Sequence, residues 1–247
     1  MELNSTTFLV FVCLLAAAFL KGATGMGFPL IATPILTLLL DIRSAVVVLI
    51  IPSMLMDITQ IFRREFPSAV LKRFSGFVVL GAVGAYIGTA FLLTLPLWIL
   101  NLCLGLVILV FVAMNILQPD LKIPPNAEKL LSPAIGFGAG FVNGMTNVSG
   151  PVVGMYFYGL KLPKQEFVKT VAITFFIFKW GQIAALSSWN QFSWRLFQVS
   201  VILIVLLCAG FYAGLKTQDR VNQRIFNHGL LFILLIIGVT LVFRALR

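Results

Sequence analysis

Charge is what this sequence has least of. Only 11% of its 247 residues are Asp, Glu, Lys or Arg, where soluble domains carry about 25%. There is a single histidine, and acidic residues number only 8. Hydrophobic residues make up 60% of the chain, and the mean hydropathy is +1.05. No water-soluble core hides so much apolar surface, so lipid is the solvent for most of the chain. Metal-ligand patterns are also missing. The three cysteines, Cys13, Cys103 and Cys208, lie far apart inside apolar runs and read as packing residues. With no H-E-x-x-H, no Walker loop and no G-x-S-x-G in a strand–turn–helix setting, nothing points to an enzyme or to a cofactor. Without a nucleotide site, active transport by such a chain must draw on an ion gradient or a partner.

The apolar runs that are present are continuous. "SAVVVLIIPSMLMDITQIF" and "GLLFILLIIGVTLVF" do not alternate as lipid-facing barrel strands would, so the expected class is an all-helical integral membrane protein. The runs fall at roughly 6–21, 28–40, 44–62, 74–93, 97–117, 131–146, 150–160, 167–188, 194–215 and 225–245. Most reach across about 30 Å at about 1.5 Å per residue; 28–40 and 150–160 reach only about 16–20 Å. The first twenty residues begin with Glu2, have no basic segment before their apolar run and are read as mature structure.

Lys and Arg exceed the acidic residues by 10. They cluster in short loops between apolar runs, which fits membrane topology and not nucleic-acid binding. The loop 63–73 (Arg63, Arg64, Lys72, Arg73) is expected on the cytoplasmic side, with 118–130, 161–169 and 216–224, while the N-terminus lies outside. Arg244 and Arg247 fit this scheme poorly. Trp98, Trp189 and Trp194 flank span ends as an interfacial belt does; Trp180 is the exception and is expected to line a cavity. His228 opens the last run and reads as an interfacial residue.

Two short stretches break the apolar pattern in the same way. "GATGMGFP" (22–29) and "GMTNVSGP" (144–151) share Gly, any residue, Thr, four residues and Pro. A shift of 122 residues superposes Gly22 on Gly144, Thr24 on Thr146, Pro29 on Pro151 and Gln60 on Gln182; a shift of 126 superposes "GAYIG" (84–88) on "GFYAG" (210–214). The chain therefore divides into a first transmembrane repeat, 1–117, a connector, 118–130, and a second repeat, 131–247. If each motif and its short piece form a hairpin that dips in and returns, each repeat has an odd number of crossings. The repeats are then inverted, with broken helices at mid-depth.

Glycine permits left-handed backbone and close approach, and proline suits a first helical turn. Pro29 and Pro151 thus mark the starts of two short helices whose free N–H groups attract an anion. Around them Gly22, Gly25, Gly27, Gly144 and Gly150 open the backbone, while Thr24, Thr146, Asn147 and Ser149 supply side-chain donors. Tight packing by small residues explains one such motif equally well. Two copies, each ahead of a short helix, favour a binding site.

"GATGMGFPLIATPIL" and "GFVNGMTNVSGPVVGMYFYGL" resemble the paired signatures of the TauE/SafE sulfite-exporter family of membrane transporters. The resemblance spans both halves. It implies transport of small sulfur oxyanions or organosulfonates such as sulfite or sulfoacetate. Asn147 and Ser149 stand where glycines are common in that family.

Charge inside the spans is the remaining signal. Asp57 and Lys179 are related by the 122-residue shift, and each precedes a glutamine, Gln60 or Gln182, by three residues, sharing its helical face. Lys179, Gln60 and Gln182 are read as facing an anion in a central cavity, with Lys21 and Asp57 as candidates for coupling or charge balance. The competing reading puts Asp57 and Lys21 near the interface and lets Lys179 snorkel to it. The expected protein is a secondary transporter in a bacterial plasma membrane that holds a small anion between its repeats. A coupling ion and an oligomeric assembly are both compatible with it. An anion channel or facilitator, or a non-transporting assembly factor, is the alternative. In a cysteine-free background, cysteines at positions 68 and 126 will be shielded from an impermeant thiol reagent in whole cells, and one at 190 will be labelled. Equal accessibility of 68 and 190 refutes the inverted arrangement.

Overall fold

The computed structural model describes residues 5–37, 39–63, 72–117, 123–191, 194–217 and 223–246. Among these the chain forms ten helices and no strand: α1 (Ser5–Thr24), α2 (Phe28–Leu36), α3 (Ile42–Phe62), α4 (Ser75–Thr94), α5 (Leu97–Leu117), α6 (Pro125–Thr146), α7 (Gly150–Gly159), α8 (Lys164–Ser188), α9 (Trp194–Thr217) and α10 (Gln223–Leu246). Five of them, α3, α4, α5, α8 and α9, are long and apolar enough to cross a membrane, and α10 adds the apolar stretch Leu234–Leu246. The short pieces are as brief as expected: α2 has 9 residues and α7 has 10, about 14–15 Å of helix. Pro29 and Pro151 sit in their first turns. Asp41 starts α3 by accepting from the Ser44 N–H at 3.1 Å and the Ser44 hydroxyl at 2.6 Å.

Each half builds its closest contacts with the other half. Helix α6 packs along α4, and α1 packs along α9; α8 packs on α4 and α3, and α3 on α9 and α8. Glycine sets the crossings. A Cβ at Gly22 would overlap the Phe211 carbonyl oxygen, and one at Gly144 would overlap that of Ala85. Gly84 likewise abuts the Phe137 carbonyl, and Gly210 that of Leu15. Gly22 and Gly144 differ by 122 positions and Ala85 and Phe211 by 126, so the two sequence shifts meet at the same pair of contacts. Glycine here buys backbone proximity between helices, the small-residue packing that lipid favours.

Polar contacts tie several of the loop-flanking helix ends together. The Arg73 guanidinium is bidentate on Glu128, at 2.8 and 2.7 Å, and this hydrogen bonding holds the Glu128 carboxyl below its usual range. The Ile123 N–H donates to the Gly159 carbonyl at 3.2 Å, and Arg63 donates to the Leu215 carbonyl at 3.0 Å. At the other end Arg43, which the sequence did not single out, donates to the Leu92 and Leu95 carbonyls at 2.9 and 2.5 Å and closes the C-terminus of α4. Arg64, Lys122, Arg220 and Arg247, and the side chains of Lys164, Arg224 and His228, lie outside the described residues.

Trp98, Trp189 and Trp194 are exposed near helix ends, as a belt requires. Trp180 is 54% exposed, its ring meeting Phe176 edge-on. The expectation that it lines a cavity is corrected. One residue along a helix turns the side chain by about 100°, which carries Trp180 away from the face of Lys179. Because the crossings are backbone contacts, Gly22→Ala and Gly144→Ala will each destabilise the detergent-solubilised protein by about 1–3 kcal/mol. Gly138→Ala, where a Cβ meets nothing within 4 Å, will not lower the unfolding midpoint. Equal midpoints for all three contradict this packing.

Candidate functional site

The two helix breaks have one design with two backbone solutions. In the first, Gly25 and Gly27 are left-handed, with φ of 90° and 101°. In the second, the position equivalent to Gly25 is Asn147, also left-handed at φ 62°. Asparagine is among the few side chains that tolerate this region, so the departure from glycine keeps the turn and adds an amide. Thr24 closes the first turn by donating to the Leu20 or Met26 carbonyl (2.9 and 2.8 Å) and accepting from the Met26 N–H at 3.3 Å. Thr146 donates to the Val142 carbonyl at 2.8 Å and accepts from the Val148 N–H at 3.2 Å, the same bonds one repeat later. Both hydroxyl hydrogens are directed at backbone, where the sequence reading aimed them at an anion. Gly22 and Gly144 lie one turn before the breaks, at the crossings with α9 and α4.

The breaks come together. Met26 lies against α7, its Cε 3.2 Å from where a Cβ at Gly154 would stand. Met145 and Val148, flanking the second break, share an apolar cluster with Leu30 of α2. At Gly150 a Cβ would meet nothing within 4 Å, which leaves open space at the start of α7. The first-turn N–H groups of α2 and α7 have no carbonyl of their own helix to bond.

Beside the breaks lies a buried polar cluster. Lys21 and Asp57 are each 0% exposed and form an ion pair. Gln60 donates through Nε2 to the Lys21 carbonyl at 2.8 Å, and Gln182 donates to the Asn143 carbonyl at 3.2 Å, again one repeat apart. Lys179, 1% exposed, donates to Asn147 Oδ1 and to Gln182 Oε1, the latter at 3.4 Å. Asn143 Nδ2 donates to Gln182 Oε1 at 3.4 Å, and the Ser149 hydroxyl donates to Asn143 Oδ1 at 3.0 Å. The ammonium of Lys21 sits 5.3 Å from the centroid of the Phe175 ring, one turn before Lys179 on α8. Asp57 lies within electrostatic range of both ammonium groups. The readings that placed Lys21 and Asp57 at the surface, and let Lys179 snorkel, are therefore corrected.

Four buried polar atoms near these residues have no hydrogen-bond partner: Asp57 Oδ2, Gln60 Oε1, Ser53 Oγ one turn before Asp57 on α3, and Asn147 Nδ2. Buried polar atoms are nearly always paired, and among the described residues Thr33, Asn101, Ser132, Tyr156 and Thr174 hold further unpartnered ones. A separate crevice lined by Phe11, Leu14, Leu15, Leu203, Leu206 and Leu207 is wholly apolar and offers an anion nothing. Of the cluster, Asn143, Ser53 and Phe175 were not proposed from sequence. Asn143 was within reach, as the counterpart of Lys21 under the 122-residue shift; Ser53 and Phe175 carry no signal beyond helical spacing from Asp57 and Lys179.

A model of the sulfite exporter TauE/SafE family matches residues 9–241. No curated protein and no solved structure matches the chain. Because each motif threonine holds its own turn, Thr24→Val and Thr146→Val will lower unfolding stability by about 1–3 kcal/mol, the cost of an unsatisfied buried N–H. Chemical unfolding in detergent measures it. A stability equal to the parent's in both variants removes the threonines from the turns.

Proposed function

Because the chain belongs to the sulfite exporter TauE/SafE family, we propose that it is a secondary transporter that moves a small sulfur-containing anion, sulfite or an organosulfonate such as sulfoacetate, across a bacterial plasma membrane. The anion is held between the two repeats at mid-membrane depth. One observation carries this reading: two buried ammonium groups face a single carboxylate beside the meeting point of two helix breaks. An excess of one positive charge away from water is costly, and a bound anion would balance it. Lys179, the Asn147 amide to which it bonds and the first-turn N–H groups of α7, three residues further along the chain, suit the oxygens of a sulfonate or sulfite. Gln182 orients Lys179 and shares its helical face.

The paired hydrogen bonds of Gln60 and Gln182, and the matching glycine crossings, support two repeats that exchange helices. The Lys and Arg of loops 63–73, 118–130, 161–169 and 216–224 support opposite orientations in the membrane. Alternating access then follows as a rocking of one repeat against the other around a fixed site.

Lys179→Met will fold but lose most ligand-induced stabilisation by the native anion, weakening binding at least about tenfold. Lys179→Arg will keep part of it, and Gln182→Leu will lose less than Lys179→Met. Purified variants screened by thermal shift with sulfite, thiosulfate, sulfate, sulfoacetate and taurine give the comparison. Full stabilisation of Lys179→Met rejects the site, and flux in proteoliposomes that does not saturate replaces the transporter by a channel.

A further inference from the structure

The first repeat's half of the cluster does not resemble the second's in chemistry. At equivalent positions the second repeat carries a cation, Lys179, and the first an anion, Asp57. Among the cluster's described atoms without a hydrogen-bond partner, the first half contributes two acceptors, Asp57 Oδ2 and Gln60 Oε1, together with the Ser53 hydroxyl, and the second contributes a donor, Asn147 Nδ2. The sense of the Asn147 amide is fixed by chemistry, since only its oxygen can accept from the Lys179 ammonium. Its N–H₂ is therefore turned elsewhere, on a residue that is 1% exposed.

Lys21 is the element the two halves share. It belongs to the first repeat, pairs with Asp57, and reaches over Phe175 to the face of α8 that carries Lys179. An anion held by Lys179 and Asn147 lies in the field of Lys21 as well. What opposes that attraction is the carboxylate already there. We infer that Asp57 is an internal substitute for the transported anion: it occupies the Lys21 ammonium in the empty protein and, on taking a proton from water, yields it to the incoming sulfonate. This rests on the anion reading above and assigns the proton as the coupling ion.

The electrostatics give the sign. With both lysines protonated, Lys21, Asp57 and Lys179 sum to one positive charge when Asp57 is ionised and to two when it is protonated. Among the described residues the charges acting on Asp57 are those of Lys21 and Lys179; Arg43 and Arg63 stand at the ends of α3 itself, and Glu166 and Lys169 near the start of α8. Helices α2 and α5 contain no charged residue, and those of α9, Arg195 and Lys216, stand at its ends. Lys21 comes from α1 and Lys179 from α8. Proton binding and anion binding thus favour each other and, by linkage, to the same degree. Each anion bound draws in one proton where Asp57 is otherwise ionised, so affinity rises as pH falls, by up to tenfold per pH unit. A chain with no nucleotide site thereby ties anion movement to a proton gradient.

The test is the dissociation constant of sulfoacetate, whose own charge is constant between about pH 6 and about pH 8, for the full-length protein in detergent. The parent will bind more tightly at the lower pH. Asp57→Asn will bind at least about tenfold more tightly than the parent at the higher pH, and its affinity will no longer depend on pH. If Asp57→Asn does not fold because Lys21 is left unpaired, Lys21→Gln with Asp57→Asn removes both charges. That variant will bind less tightly than Asp57→Asn where both can be measured, and without pH dependence. A pH profile that persists in either variant belongs to the lysines and overturns the inference, as does weaker binding by Asp57→Asn than by the parent. Loss of binding in Lys179→Met with an unchanged profile in Asp57→Asn overturns this inference and leaves the site standing. Absence of binding by the parent to sulfoacetate, sulfite and sulfate at every pH overturns both.

Discussion

Backbone contact at glycine is the constraint on which the rest of this molecule depends. In lipid there is no hydrophobic force to draw helices together, so close approach of main chains must supply dispersion contacts. Gly22 and Gly144 allow α1 to meet α9 and α6 to meet α4 at contact distance. Only a few residues further along, each of these helices breaks. The crossings therefore fix where the breaks lie, and so where Lys21, Asn147 and the free N–H groups are held. A bulkier residue at a crossing would displace the site without touching it.

Burial then makes charge expensive, and the cluster meets the expense with unequal means. Lys21 has a carboxylate, whereas Lys179 has only amide oxygens. Amide dipoles stabilise an ammonium less than a full charge does, so of the two lysines Lys179 is the less compensated by its described partners. The glutamines serve a different purpose. By bonding the carbonyls of Lys21 and Asn143, residues in the last turn before each break, they hold those turns against the neighbouring helix.

Part of this was legible in the sequence, where two motifs share one spacing. The 122- and 126-residue shifts predicted which residues are equivalent, and the structure returns them as equivalent bonds. Gln60 and Gln182, Thr24 and Thr146, and the glycines of "GAYIG" and "GFYAG" all behave as pairs. What hydrophobic patterning does not contain is which helix a given face meets. That α1 lies along α9 is a fact about space, and so is the meeting of Lys21 with Asp57, which are 36 positions apart. Trp180 was misplaced for a local reason: adjacency to Lys179 in the chain is not adjacency on a helix. The motif glycines were treated as one group, but they divide into crossing points and left-handed turns, a difference that appears only with neighbours and backbone angles.

The exchange of helices between halves also governs how the chain is made. Helix α1 is complete at Thr24, yet the helix along which it packs begins at Trp194. At about 5–20 residues per second, the ribosome needs roughly ten to forty seconds to deliver it. Throughout that interval the glycine face of α1 lacks the helix along which it packs, although α1, α2 and α3 already meet one another. Cut between the repeats, the two fragments would still hold the full set of complementary faces.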